Sequence, residues 1–328
     1  SIFMVASLSP ATQLLLAAAP AAFLHKPCAL PPPTHISTVR LPARVQSTPH
    51  MSATLAIPSQ PIPELPSVKT NAFSRFLISI NFIVASFISI ILWYVPLVPL
   101  TLYSLKFDHV RRRACDWVVQ LWARWTLALM GSKVSVEGKE NLPPPEEAVL
   151  YVPNHCSFLD IFSLSGCLPR RFKYVSKVEI LRIPLIGWAM QFAKHIAIRR
   201  TDRASQLATF KEAVACLQGG SSLVTFPEGT RSKDGRIMAF KKGPFTMAAR
   251  AKVRVVPISI IGTHVFQPPG SLFPLARPRG VRLIVHPPLD PPANKKEQET
   301  LEQAKAAIMS ALPASMLPLP QSRDTPVA

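Results

Sequence analysis

The sequence predicts an α/β fold, a mainly parallel sheet covered by helices, behind an N-terminal hydrophobic segment that associates with a membrane. Two observations lead there. Beyond Arg113, short apolar or β-rich runs alternate with segments of helical period and length, the pattern of strands joined by helical crossovers. Ahead of them, Phe76 to Ser104 reads FLISINFIVASFISIILWYVPLVPLTLYS, with no Asp, Glu, Lys, Arg or His.

In chain order, a leader over residues 1–65 comes first. It has no acidic residue before Glu64, is rich in Ser, Thr, Ala and Pro, and carries scattered Lys26, Arg40 and Arg44. That composition is that of an organelle transit peptide, with an ordinary Pro-rich tail as the competing reading. Residues 70–131 form the anchoring region. A helix of about 20 residues spans the hydrocarbon core, so the apolar run is long enough to cross once. Pro96 and Pro99 are expected to kink or end a helix, which leaves a re-entrant or interfacial stretch equally open. Trp93 and Tyr94 suit the headgroup boundary, and Lys106 and Arg111 to Arg113 follow it. A buried core helix is the bland alternative, although so long a run seldom lacks a polar face.

The catalytic domain is expected over residues 132–312. ACDWVVQLWARWTLALM just ahead of it has helical recurrence. KVSVEG, AVLYV, FKYVS, HIAI, SSLVTF, VVPISI and VRLIV read as strands. VEILRIPLIGWAMQFA, DRASQLATFKEAVACLQ and KKEQETLEQAKAAIMSAL read as helices. Residues 313–328 form a Pro-rich tail expected to be disordered.

A formal net charge of +19 on 328 residues implies anionic partners, and the acid-free stretch before Glu64 supplies only three of those charges. No zinc-finger spacing and no aromatic-plus-glycine RNA-binding signature accompanies it, so no nucleic acid partner is expected. Beside an apolar anchor, membrane lipids and a phosphorylated substrate are the better candidates. Five scattered cysteines, none in C-x-x-C spacing, suggest neither a metal site nor a disulfide framework, and a reducing compartment fits them.

VPNHCSFLD places His155 and Asp160 five positions apart. On a helix that separation turns about 500°, and on a strand it reverses the face, so neither regular structure pairs them. They meet if His155 lies in the loop after AVLYV and Asp160 in the first turn of the helix that follows, with Ser157 as its N-cap. The carboxylate then fixes the imidazole tautomer and raises the basicity of the free nitrogen. Alone, this spacing is weak evidence. A second cluster, FPEGTRSKDGR, follows the strand SSLVTF, and ligands of open α/β sheets bind beyond the carboxyl ends of strands. Gly229 allows close backbone approach, Thr230 and Ser232 offer hydroxyls, and Arg231 offers a planar fork for phosphate; Lys241 and Lys242 follow in FKKGPF.

At these residues the chain resembles the glycerolipid acyltransferase family, most closely its plastid-type 1-acyl-sn-glycerol-3-phosphate acyltransferases. The resemblance covers roughly residues 133–288 and rests on FPEGTRSKDGR and FKKGPF, supported by NHCSFLD, KVEILRIPLIGWAM and VVPISI. It implies His155 as general base, Asp160 as its orienting partner, and Glu228, Gly229, Thr230 and Arg231 as members of a glycerophosphate site. It further implies Lys177 near the phosphate and Pro257 in acyl or acceptor positioning. Two departures stand out: Lys194 and His195 precede the I-x-I-x-R strand where a small residue is usual, and FKKGPF carries Pro244.

The activity so implied is transfer of an acyl chain from a thioester of acyl carrier protein or coenzyme A, as co-substrate, to the sn-2 hydroxyl of lysophosphatidic acid. No metal and no bound cofactor is called for. A positioned imidazole contributes about 10²–10⁴-fold to such an attack. Backbone N–H groups at the helix start after His155 are the expected oxyanion donors. Attack is direct, because no G-x-S-x-G elbow marks Ser157 as a nucleophile. Other readings remain open at this point: another glycerophospholipid acceptor, a thioesterase using Cys156, or a non-catalytic lipid-binding protein. The leader and the resemblance together imply residence in a chloroplast membrane, the plastid envelope.

Overall fold

The computed structural model describes Leu65, Val68 and residues 70–199, 202–293 and 296–319. Apart from Leu65, the leader lies outside the described residues, as do Arg200 and the tail from residue 320.

Two helices open the fold. The first, α1 (Ala72–Phe107), starts at Asn71, whose side chain caps the Ser74 N–H, and continues through Pro96 and Pro99 instead of ending there. Each proline removes one intrahelical hydrogen bond, and packing must offset that loss. It comes from α2 (Arg113–Leu129), which folds back along α1 and meets Phe82, Ala85 and Leu97 with Ala123, Leu127, Met130, Cys115 and Val118. Along the same flank α1 touches the α/β body: Ser79 Oγ donates to the Pro274 carbonyl, and Phe82 packs edge-on against Phe162. The apolar run is therefore laid along the protein, with one face packed and the other open.

The sheet has seven strands: β1 (Lys133–Glu137), β2 (Leu150–Pro153), β3 (Lys173–Lys177), β4 (Ile196–Ile198), β5 (Leu223–Val224), β6 (Val255–Ile261) and β7 (Arg279–Val285). Their spatial order is β1-β7-β6-β2-β5-β3-β4, and every neighbouring pair is parallel except β6 with β7. Side chains alternate across it as strands require. Tyr151, Val224, Val256 and Ile258 face the layer of α3 (Leu159–Cys167). Leu150, Val152, Leu223 and Val255 face α5 (Arg203–Gln218), α6 (Gly243–Ala251) and, beyond the short α7 (Thr263–Phe266), α8 (Glu297–Ala311). Burial on both faces explains why these strands are continuous apolar runs.

A buried ion pair fastens the helical hairpin to the sheet. Lys173 Nζ, on β3, donates to both carboxylate oxygens of Asp116, on α2, at 2.9 Å and to the Ala193 carbonyl at 2.6 Å.

Two further expectations are corrected. VEILRIPLIGWAMQFA is a 3-10 turn over Val178–Arg182 and then a short helix, α4 (Ile186–Phe192). The break lies at Pro184, which holds Ile183 extended and is followed by Leu185 in a positive-φ conformation. The tail beyond Pro313 is not free at its start: Ala314–Met316 form a 3-10 turn, Met316 is buried, and its carbonyl accepts the Ile237 N–H. Finally, Pro244 sits in the first turn of α6, where a missing N–H costs nothing.

Candidate active site

Because β2, β5 and β3 are adjacent and parallel, their carboxyl ends share one edge, and the two loops singled out in the sequence leave the sheet side by side there. Asn154 clamps the exit from β2, its side chain accepting the Ile260 N–H at 2.7 Å and donating to the Ile260 carbonyl at 3.0 Å. The next residue, His155, is pinned through its backbone to the loop after β5. Its N–H donates to Glu228 Oε1 at 2.7 Å, and its carbonyl accepts the Ser232 N–H at 2.9 Å. The imidazole stacks on Phe226, with ring centroids 3.8 Å apart.

His155 and Asp160 do meet. Nδ1 lies 2.8 Å from Asp160 Oδ2, with the carboxylate fully buried and the imidazole partly open to solvent. Oδ2 also accepts the N–H groups of Cys156 and Ser157 at 2.8 Å, and Oδ1 accepts the Thr263 hydroxyl at 2.5 Å. A carboxylate holding so many donors at the first turn of α3, where the helix dipole also favours negative charge, is an acceptor toward the ring. Nδ1 therefore carries the proton, and Nε2 keeps its lone pair for a substrate. Ser157 lies one residue ahead of the boundary residue Phe158, and its side chain serves the first turn of the helix as expected. Its hydroxyl accepts the Leu159 N–H at 3.1 Å and donates to the Gln267 carbonyl at 2.8 Å. The expected oxyanion donors narrow to the Phe158 N–H, which has no hydrogen bond among the described residues. The N–H groups of Cys156, Ser157 and Leu159 are already bonded within the loop.

In the second loop Glu228 is buried. Oε1 holds His155 and Oε2 accepts the Met238 N–H at 3.0 Å, so this carboxylate ties loops together instead of facing a ligand. Burial pushes it up to about 7, against the pull of those two N–H donors. Gly229 has φ +75°, and a Cβ there would run into the Lys241 ammonium, so only glycine lets that cation close on the turn. Thr230 is exposed and Arg231 is half-buried with no ion pair among the described residues. Lys242 is drawn away to Glu297, at 3.5 Å. Lys177, exposed at the end of β3, shares the edge one strand beyond β5. Pro257 is not brought into the open site: it is buried inside β6, opposite Val152, with its carbonyl accepting the His286 N–H. The pairing beyond β7 is irregular at that point, which is where a strand tolerates a residue without an N–H.

Sequence reasoning missed Thr263 and Asn154, and left His195 open. His195 is buried, its Nδ1 accepting the Tyr174 N–H at 2.8 Å, and burial pushes it down to about 3; it is a neutral structural group. Cys156 is buried too, and burial beside Asp160 and Glu228 raises its thiol well above the usual range, which deprives a thioesterase of its thiolate.

Glu228→Gln tests the loop tie. An amide accepts at only one end, so one backbone N–H is orphaned, and a loss of about 1–3 kcal/mol in unfolding free energy is expected. The pH slope is expected to change as well. The folded value, about 7, lies above the ordinary 4.5, so this group's contribution is complete below pH 4.5 and lost as pH rises through about 7. Denaturant unfolding between pH 4 and 8 should show that slope in the native chain and a flatter one in the variant.

A family model described as Acyltransferase matches residues 133–261. The chain is 39% identical over 286 residues to a 1-acyl-sn-glycerol-3-phosphate acyltransferase of Chlamydomonas reinhardtii, covering 87% of this chain and 83% of that one. It is 40% identical over 234 residues to a chloroplastic 1-acyl-sn-glycerol-3-phosphate acyltransferase of Arabidopsis thaliana, covering 71% of this chain and 64%, a little under two thirds, of the relative. The crystal structure of the 1-acyl-sn-glycerophosphate acyltransferase PlsC from Thermotoga maritima superposes with a TM-score of 0.62 at 26% identity, covering 72% of this chain and 93% of that one.

Proposed function

Because this chain belongs to the 1-acyl-sn-glycerol-3-phosphate acyltransferase family, we propose that it acylates the sn-2 hydroxyl of lysophosphatidic acid from an acyl thioester, giving phosphatidic acid. The observation that carries the reading is the His155–Asp160 pair, with no partner on Nε2 among the described residues, on the sheet edge that also holds Arg231 and Lys177. Nε2 takes the proton of the glycerol hydroxyl as that oxygen attacks the thioester carbonyl. Asp160 stabilises the imidazolium and keeps the ring from turning. The same proton then serves the leaving thiolate, and no acyl-enzyme forms. Arg231 and Lys177 take the acceptor's phosphate, with Gly229 allowing close approach and Thr230 adding a hydroxyl. Glu228 acts at one remove, by holding the His155 backbone.

Turnover of purified, lipid-reconstituted chain with lysophosphatidic acid and either acyl carrier protein or coenzyme A thioesters tests the activity and identifies the donor. Production of phosphatidic acid from neither donor would overturn the reading. In that assay Arg231→Lys keeps the charge and loses the fork. A roughly tenfold rise in the acceptor's KM is expected, the worth of one charge-assisted hydrogen bond. An unchanged KM would move the phosphate elsewhere.

The open face of α1 supports a membrane-bound enzyme. Phe76, Phe87, Ile91 and Val95 stand 56–73% exposed, while the opposite face is committed to α2 and the body, so the helix meets lipid along its side. The leader's composition supports plastid import and residence at the plastid envelope. A fluorescent reporter fused behind residues 1–70 would refute this by lighting the endoplasmic reticulum.

A further inference from the structure

The segment from Ile183 to Trp188, between β3 and β4, plays no part in the chemistry above, yet it is built at a cost. Leu185 has φ +65° and ψ −57°, a conformation that costs a side-chain-bearing residue about 1–3 kcal/mol and persists only where its surroundings enforce it. Those surroundings are visible. The Leu185 carbonyl accepts the Tyr94 hydroxyl of α1, and Gly187 lies so close to the Leu181 carbonyl that no side chain fits there. The bend points two large apolar side chains outward, Ile183 at 42% and Trp188 at 43% exposure, with Arg182 exposed just before them and Pro184 exposed between them.

Two independent observations say what covers them. The first is continuity. The inner side of α4, Ala189 with Ala193 and Phe192 just beyond, packs on Trp93, Tyr94 and Leu97 of α1 and on Val118 of α2. The outward side therefore adjoins the part of α1 where Ile91, Leu92, Val95 and Val98 are exposed. The second is the distribution of tryptophan. The chain has five. Trp93, Trp117, Trp122 and Trp125 lie on the α1–α2 hairpin, and the fifth is Trp188. Tryptophan is favoured at the boundary between hydrocarbon and headgroups, where its apolar body and its N–H are both accommodated.

We infer that the Ile183–Trp188 segment is a second membrane contact, seated in the interfacial layer of the bilayer that α1 enters. This rests on the reading that the open face of α1 meets lipid. A single helix lying in a membrane leaves the attached body free to roll about it, and a second contact removes that freedom. Lys177 precedes the segment by one 3-10 turn, so the roll angle is set where the acceptor's phosphate must arrive, and Arg182 meets anionic headgroups at the same level. The contact acts on access to a membrane-resident acceptor and leaves the chemical step alone.

The full-length chain, with vesicles of phosphatidylcholine and phosphatidylglycerol, provides the test. In Ile183→Ser/Trp188→Ser the vesicle partition coefficient is expected to fall at least about tenfold, given the apolar area lost. The KM for vesicle-embedded lysophosphatidic acid rises with it. Turnover of a short-chain, water-soluble acceptor stays within about twofold. The comparison variant is Phe87→Ser/Ile91→Ser on α1. Loss of partition in the α1 variant alone would overturn the second contact and leave α1 as the anchor. Loss in neither would overturn both readings. Trp188→Phe keeps the apolar bulk and so guards against misfolding of the double variant. Lipids brominated on the acyl chain should quench the native chain's fluorescence by a larger fraction than that of Trp188→Phe, and equal quenching would sink the proposal.

Discussion

Replacing His155 with alanine is expected to lower kcat by about 10²–10⁴-fold, the contribution of a positioned general base, with the acceptor's KM little changed. The expectation rests on the division of labour in the loop. The backbone of His155 is held by Glu228 and Ser232, and the course of the chain by Asn154, so truncating the ring leaves the loop's hydrogen bonds in place. What disappears is Nε2, the stacking on Phe226 and the Nδ1 bond to Asp160, whose carboxylate keeps its other three donors, Cys156 N–H, Ser157 N–H and the Thr263 hydroxyl. Folding and membrane association should therefore survive, which thermal unfolding and vesicle sedimentation would check. Near-normal turnover in a folded variant would overturn the mechanism.

The second large effect is on stability. Lys173→Met is expected to cost about 3–5 kcal/mol, because Asp116 would be left buried without its counter-charge. Both side chains are almost completely enclosed, and Lys173 Nζ has three acceptors. Burial already pushes the Asp116 carboxyl above the ordinary carboxylate range, with Lys173 pulling the other way. Without the lysine that pull is gone and the folded carboxyl rises further. A carboxyl whose folded value lies above its unfolded one loses stability as pH rises, so the variant's deficit should widen from about pH 4 upward and shrink in acid. Replacing both partners, Lys173→Met with Asp116→Leu, should recover most of the loss. Urea unfolding of the two variants at pH 4.5 and 7.5 decides it, and an equal deficit in both would mean that the pair is not the fastening.

Much of the molecule was legible before any coordinates. All seven strands were named in advance, the central β2, β5 and β6 because a strand buried on both faces has little choice of side chain, and the edge strand β1 from the alternation of KVSVE. His155 and Asp160 were legible as a pair because the loop between a strand and a helix is the one place where five positions bring them together. The helix through Pro96 and Pro99 was not, since local propensity opposes it and packing against α2 decides it. The same holds for Met316, whose partner, Ile237, lies far back in the chain.

By itself the sequence determined the order of elements, the apolar run, the histidine with its aspartate, and the glycine and arginine of the second loop. These depend on side-chain periodicity and on residues a few positions apart. Only the tertiary structure decided the strand order, which sets β5 between β2 and β3 and so brings the two loops to one edge. It alone recruited Thr263 to Asp160 across 103 positions, turned Glu228 inward as a tie, and spent three of the N–H groups at the helix start, leaving that of Phe158. The physical reason is common to all of these. A buried polar group must find a partner, and the chain supplies that partner from wherever packing brings it, at separations on which local pattern is silent.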